Sequence, residues 1–144
     1  MVQVDFHSGV ADKIGYACRL LRKAHRAGHR VAVVGPGEHL ARLDVVLWTF
    51  DPGEFVPHCR LRAGQVLPAH LHRTPIVLLD DAASLSGQPV VVNLGSDGLH
   101  DLSPFDRVIE VVSAQADDAA QARARWRRYA AAGHKPANHD QTGR

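Results

Sequence analysis

A three-layer α/β domain with a largely parallel central sheet is the fold this sequence predicts, and three observations predict it. Short apolar runs with little polar alternation recur along the chain, as strands buried on both faces require. Segments with apolar residues three and four apart, the mark of amphipathic helices, alternate with those runs. At 144 residues the chain makes one domain, large enough to bury roughly two-thirds of the surface its unfolded form would expose.

Taken in order, Val2 to Phe6 alternates like an opening strand. Asp12 to Ala27 carries Ile14, Ala17, Cys18, Leu21, Ala24 and His25 on one helical face, with Ser8 read as its N-cap and Gly28 as its C′ residue. Arg30 to Val34 is a buried strand. Pro36 suits the first turn of a second helix whose inner face is Leu40, Leu43, Val46 and Leu47, stopped by Asp51-Pro52-Gly53. Pro57 to Thr74 reads as an irregular, His-rich connection with a short strand at Gln65-Val66-Leu67. Pro75 to Leu79 and Pro89 to Leu94 are two more buried strands, separated by turn signals at Asp80-Asp81 and Ser86-Gly87. Ser96-Asp97-Gly98 is a further turn, and Arg107 to Val112 a fifth strand. A helix from Ala114 to Ala132 closes the domain at Gly133, with Asp117 and Asp118 favouring its positive end. The domain therefore occupies residues 1–134, and the polar tail 135–144 is expected to lack regular structure.

Composition narrows the setting. Two cysteines, Cys18 in a helical apolar pattern and Cys59 in a loop, suit a reducing cytoplasm better than a disulfide scaffold. No apolar run approaches the ~20 residues a membrane span needs, and no signal-like start is present, so a soluble cytoplasmic protein is expected. The formal charge of +2 conceals two basic clusters: Arg19, Arg22, Lys23, Arg26 and Arg30 near the first helix, and Arg123, Arg125, Arg127 and Arg128 on the last. Patches of that size fit an acidic peptide at least as well as nucleic acid, which calls for a broader positive field.

Motifs for catalysis and cofactors are thin. Gly35-Pro36-Gly37 sits where an α/β fold would bind phosphate, but it lacks the further glycine or the Gly-Lys-Ser/Thr ending, and proline removes a donor. It reads as a plain strand-to-helix turn. His58, Cys59, His70 and His72 are ligand-type residues in one stretch, without a second pair at zinc-site spacing. Asp5, Asp80 and Asp81 end strands where enzymes place acids, yet solvated turn residues take those positions more often. No catalytic, cofactor-binding or metal-binding residue is assigned. The reading from another class is a small nucleotide-binding domain or enzyme with its site at the strand carboxyl ends near Gly35 and Asp80.

Two segments are more telling. Leu43 to His58 reads Leu-Asp-Val-Val-Leu-Trp-Thr-Phe-Asp-Pro-Gly-Glu-Phe-Val-Pro-His, aromatics crowded where prolines forbid a continuing helix, in a protein only 6% aromatic. Such loops often grip a partner, because each ring buries a large apolar area at low entropic cost. Arg125-Trp-Arg-Arg-Tyr129 followed by Ala-Ala-Ala-Gly133-His134 is the second. Arg123, Trp126 and Arg127 share one helical facet, and planar guanidinium forks beside an indole match a carboxylate next to an apolar side chain. The alternative is that Trp126 enters the core while the arginines solvate the outer face.

Together the segments resemble the chi subunit of bacterial DNA polymerase III holoenzyme, whose signature includes Leu-Asp…Leu-Trp…Phe-x-Pro-His and a basic aromatic closing helix. Element order fits from about Val2 to Ala137. The resemblance implies a Rossmann-like fold and a non-catalytic accessory role in replication. It implies that the chain links the clamp loader to the acidic C-terminal tail of single-stranded DNA-binding protein, meeting DNA mostly indirectly. It carries Arg123, Trp126, Arg127 and Val112 over as tail-binding positions, with Ala119 standing where the family has a basic residue. It implies contact with the small psi subunit, or an equivalent clamp-loader subunit, through Trp48, Phe55, Val56, Pro57 and His58. As competing structural roles, Trp48 would close the second helix and Phe55 would tuck into the domain.

Overall fold

The computed structural model describes residues 2–49, 53, 55–62, 65, 74–80, 89–97 and 99–142. In chain order these form β1 (Gln3–Val10), α1 (Lys13–Arg26), β2 (Val31–Val34), α2 (Gly37–Thr49), β3 (His58–Leu61), β4 (Ile76–Leu79), β5 (Val90–Asn93), β6 (Arg107–Ser113), α3 (Ala116–Ala131) and β7 (Ala137–Asp140). The strands make one sheet in the order β3-β4-β2-β5-β6-β1-β7, and every pairing is parallel. The expected three-layer, Rossmann-like α/β domain is the fold observed.

Alternation along the strands sorts the core into two layers. Val31, Val33, Ile76, Leu78, Val92, Ile109 and Val111 pack under Ile14, Cys18 and Leu21 of α1 and Leu40, Leu43 and Leu47 of α2. Their strand neighbours Ala32, Val34, Val77, Val91, Val108 and Val112 point to the other face, with Val4 and Phe6, and meet Ala122 and Tyr129 of α3. Val31–Val34 and Ile76–Leu79 are buried at every residue, which is why their sequences show no polar alternation. Among the described residues, no helix is long and apolar enough to cross a membrane.

Four expectations are corrected. First, β1 runs to Val10 because it pairs with β6 as far as Ser113; Ser8 is therefore in the strand, and Asp12 caps α1 by accepting from the Gly15 N–H at 3.1 Å. Second, His58–Leu61 forms strand β3, so Cys59 is not in a loop. As the sheet's other edge it needs only β4, which it joins from His58 against Ile76 to Leu61 against Leu79, and a polar His-Cys-Arg-Leu run can serve there. Gln65 is exposed and in no strand, while Val66 and Leu67, like His70, His72 and Asp81, lie outside the described residues. Third, the tail is not wholly irregular: Ala137–Asp140 pairs parallel with Asp5–Ser8 of β1 as β7. Last, Arg125 does not join an outer basic face, as described below. Both thiols are held neutral by burial, which pushes Cys18 up to about 11 and Cys59 in the same direction.

Candidate functional site

The geometry of α3 follows from one buried polar knot. Ala122, Arg125 and Tyr129 recur at helical spacing and face the sheet. Arg125 is fully buried, and its Nε donates to Glu110 Oε1 on β6 at 3.0 Å while its Nη1 donates to Asp97 Oδ1 at 3.1 Å. Tyr129 Oη donates to Glu110 Oε2 at 2.6 Å, and Asn93 Nδ2 at the end of β5 donates to the same oxygen at 2.9 Å. Glu110 is fully enclosed; burial pushes its carboxyl above the ordinary value, and Arg125, Tyr129 and Asn93 oppose that push. A buried carboxylate needs such partners. A signal for this knot does exist in the sequence: a lone acid within Val108-Ile-Glu-Val-Val112, and an Arg–Tyr pair four apart on a helix.

With that facet turned inward, the adjoining one forms a cleft against the sheet edge. Ala119, Arg123, Trp126 and Arg127 of α3 line a space of about 470 Å³ together with Phe6, Ser8, Val112 and Asn138 of the sheet. All four residues that the resemblance marks for tail binding thus meet in one place. Arg123 and Arg127 are exposed at its rim. Trp126 is half-buried, its ring 5.0 Å from that of Phe6, so it is both wall and partial core. Val112 is buried beneath. Ala119 lines the same cleft, so the helix wall carries two guanidinium groups and an uncharged position beside them. Chemically, the cleft offers an apolar floor and a forked cationic rim, which suits an apolar side chain adjoining carboxylates. Phe6, Ser8 and Asn138 were not legible as lining residues, because only strand pairing brings β1 and β7 beside α3.

The aromatic loop divides in two. Trp48 and Phe55 are 54% and 63% exposed, and their rings lie 5.4 Å apart. Val45, one helical turn before Trp48, is also exposed. Phe55 therefore does not tuck into the domain. Val56 is fully buried and Pro57 half-buried. His58 is buried too, with Nδ1 2.8 Å from the Val56 carbonyl oxygen and Nε2 3.0 Å from Asp44 Oδ1. Trp48 covers its ring at 4.5 Å. Val56 and His58 thus anchor the segment, while Val45, Trp48 and Phe55 present an apolar surface to solvent.

At the strand carboxyl ends, the residues of the nucleotide-site reading are structurally engaged. A Cβ on Gly35 would come within 2.9 Å of Leu94 Cβ, so glycine is required there for packing. Asp80 accepts from Arg60 Nε and Nη2 at 3.2 and 3.1 Å. A second cleft of about 430 Å³ contains Lys13, but Lys13 Nζ sits 2.7 Å from Asp118 and donates to the Leu94 carbonyl. Asp12, Glu38, Asp117 and Asp118 outnumber Lys13 and Arg42 in that cleft, an acidic balance that opposes a phosphate. Among the described residues, no three His, Cys, Asp or Glu side chains are grouped to hold a metal ion.

Residues 1–137 match the family model described as DNA polymerase III chi subunit, HolC. No curated protein matches the chain.

Proposed function

We propose that this chain, which belongs to the DNA polymerase III chi subunit family and so to the accessory subunits of replication, binds the acidic C-terminal tail of single-stranded DNA-binding protein in the α3 cleft. Through that contact it links the clamp loader to the coated template strand, as a non-catalytic cytoplasmic adaptor that meets DNA mostly indirectly. The observation that carries the reading is the convergence of Arg123, Trp126, Arg127 and Val112 on one cleft with an apolar floor and a cationic rim. The tail's carboxylates pair with the two guanidinium groups, and its terminal apolar side chain packs on the open part of Trp126.

A second surface serves the clamp loader. Val45, Trp48 and Phe55 lie on α2 and the segment after it, whereas the cleft is built on α3, across the sheet. Two partners can then be held together without competing. An exposed aromatic pair of this kind fits the apolar anchor of an interface with psi or an equivalent subunit.

The test is titration of a fluorescently labelled tail peptide. Arg123→Ala and Arg127→Ala should each weaken binding by about 1.5–3 kcal/mol, the range for a charge-assisted hydrogen bond. Both losses should shrink at high salt, because the arginines are exposed. Unchanged affinity in both variants refutes the assignment.

A further inference from the structure

Strand β7 adds a wall to the cleft, and its residues Asn138, His139 and Asp140 lie past the span 1–137 that matches the family model. Apolar periodicity is absent from this segment, so it is held by specific pairing. Asp5, Phe6, His7 and Ser8 of β1 are in register with Ala137, Asn138, His139 and Asp140. The Gln141 N–H donates to the Ser8 carbonyl oxygen at 2.8 Å. On one face, His139 Nε2 is 2.9 Å from Asp5 Oδ1, whose other oxygen accepts from Arg107 Nε at 3.1 Å. Side chains alternate along a strand, so Asn138 points to the opposite face, toward α3, and lines the cleft with Phe6 and Ser8. The latch and the cleft wall therefore occupy different sides of β7.

A carboxylate accepts hydrogen bonds and donates none, so its site must present donors. Arg123 and Arg127 supply them from the helix side. From the strand side, Ser8 Oγ donates to Asn138 Oδ1 at 2.8 Å. That bond uses the serine proton and the amide oxygen, and leaves the Asn138 Nδ2 hydrogens as the donors this wall can offer to a ligand in the cleft.

We propose that Asn138 is a contact residue for the anionic peptide in this cleft, donating from Nδ2 to a peptide carboxylate or carbonyl, with β7 latched by His139 and Asp5 to hold it there. The inference rests on the cleft reading above, and one experiment separates the two. Fluorescence anisotropy with a labelled Asp-rich peptide ending in a free-carboxylate Phe is measured on the full chain and on Asn138→Ala, Asn138→Asp and Arg123→Ala. Asn138 is exposed, so thermal unfolding should be nearly the same for its variants. Asn138→Ala should weaken binding about three- to tenfold, as loss of one net hydrogen bond does. Asn138→Asp should weaken it further, because it replaces donors by a charge of the peptide's own sign, and that extra loss should fade with salt. If Arg123→Ala weakens binding while both Asn138 variants bind like the parent, the Asn138 contact is wrong and the cleft reading stands. Equal losses in Asn138→Ala and Asn138→Asp also overturn the contact, because a purely supporting residue would not sense the sign of the charge. If Arg123→Ala binds unchanged, the cleft reading itself falls and the inference with it.

Discussion

Replacing Arg125 by Met isolates the interaction that sets α3 on the sheet. The Glu110 carboxylate would remain fully enclosed and would lose its cationic partner. Breaking a buried pair from one side costs about 3–5 kcal/mol, since an uncompensated charge stays behind. Here the lower end applies, because Tyr129 Oη and Asn93 Nδ2 still donate to Glu110. The Arg125–Asp97 pair adds little to this, as the Asp97 side chain is 66% exposed. We therefore expect Arg125→Met to cost about 3 kcal/mol in urea unfolding. Adding Glu110→Gln should recover most of that loss by removing the stranded charge. The pH dependence has a definite sign. Burial raises the Glu110 carboxyl above its ordinary value, so the folded state holds the proton more tightly than the unfolded chain. Its contribution is then greatest at low pH and is lost as pH rises through the folded value. Without Arg125 that effect grows, and Arg125→Met should be more destabilised at pH 8 than at pH 5. A double variant no more stable than Arg125→Met, together with a cost that does not change with pH, would refute the reasoning.

Two further outcomes are expected. Trp48→Ala and Phe55→Ala should each lower stability by about 0.5–1.5 kcal/mol, the worth of an aromatic pair, and not the 3–5 of a core ring, while abolishing capture of psi or its equivalent; a large drop in urea midpoint with the partner absent would make them core residues. His7 is pushed below its ordinary value of 6.5, first by burial and then by His139 and Arg107, with Asp5 opposing, and it meets the Tyr16 hydroxyl. The unfolded chain then binds the proton first, so stability should decline as pH falls below about 6.5 until the folded value is passed. His7→Gln should flatten that decline in urea midpoints taken between pH 5 and 8, and an unaltered slope would exclude His7 as its source.

Local pattern set the layers. A run such as Ile76-Val-Leu-Leu79 has no polar residue to give to solvent, so it fits only a strand covered on both faces, and parallel pairing follows from the helices that alternate with such runs. It also determined which facet of α3 carries Arg123, Trp126 and Arg127, because helical spacing is a local property. The two edges were a different matter. His58-Cys-Arg-Leu61 and Ala137-Asn-His-Asp140 carry little apolar pattern; they are strands because β4 and β1 offer them unpaired backbone groups, and that offer exists only once the sheet is assembled. The same holds for the buried charges. Arg125 looks like its neighbours on the helix until Glu110, fifteen residues earlier, is found beneath it. Nor could exposed Trp48 be told from buried His58 within a single aromatic segment. Local pattern encodes the period of each element, but which face meets another, and which polar groups must pair there, is a property of elements far apart in the chain and is decided only when they pack.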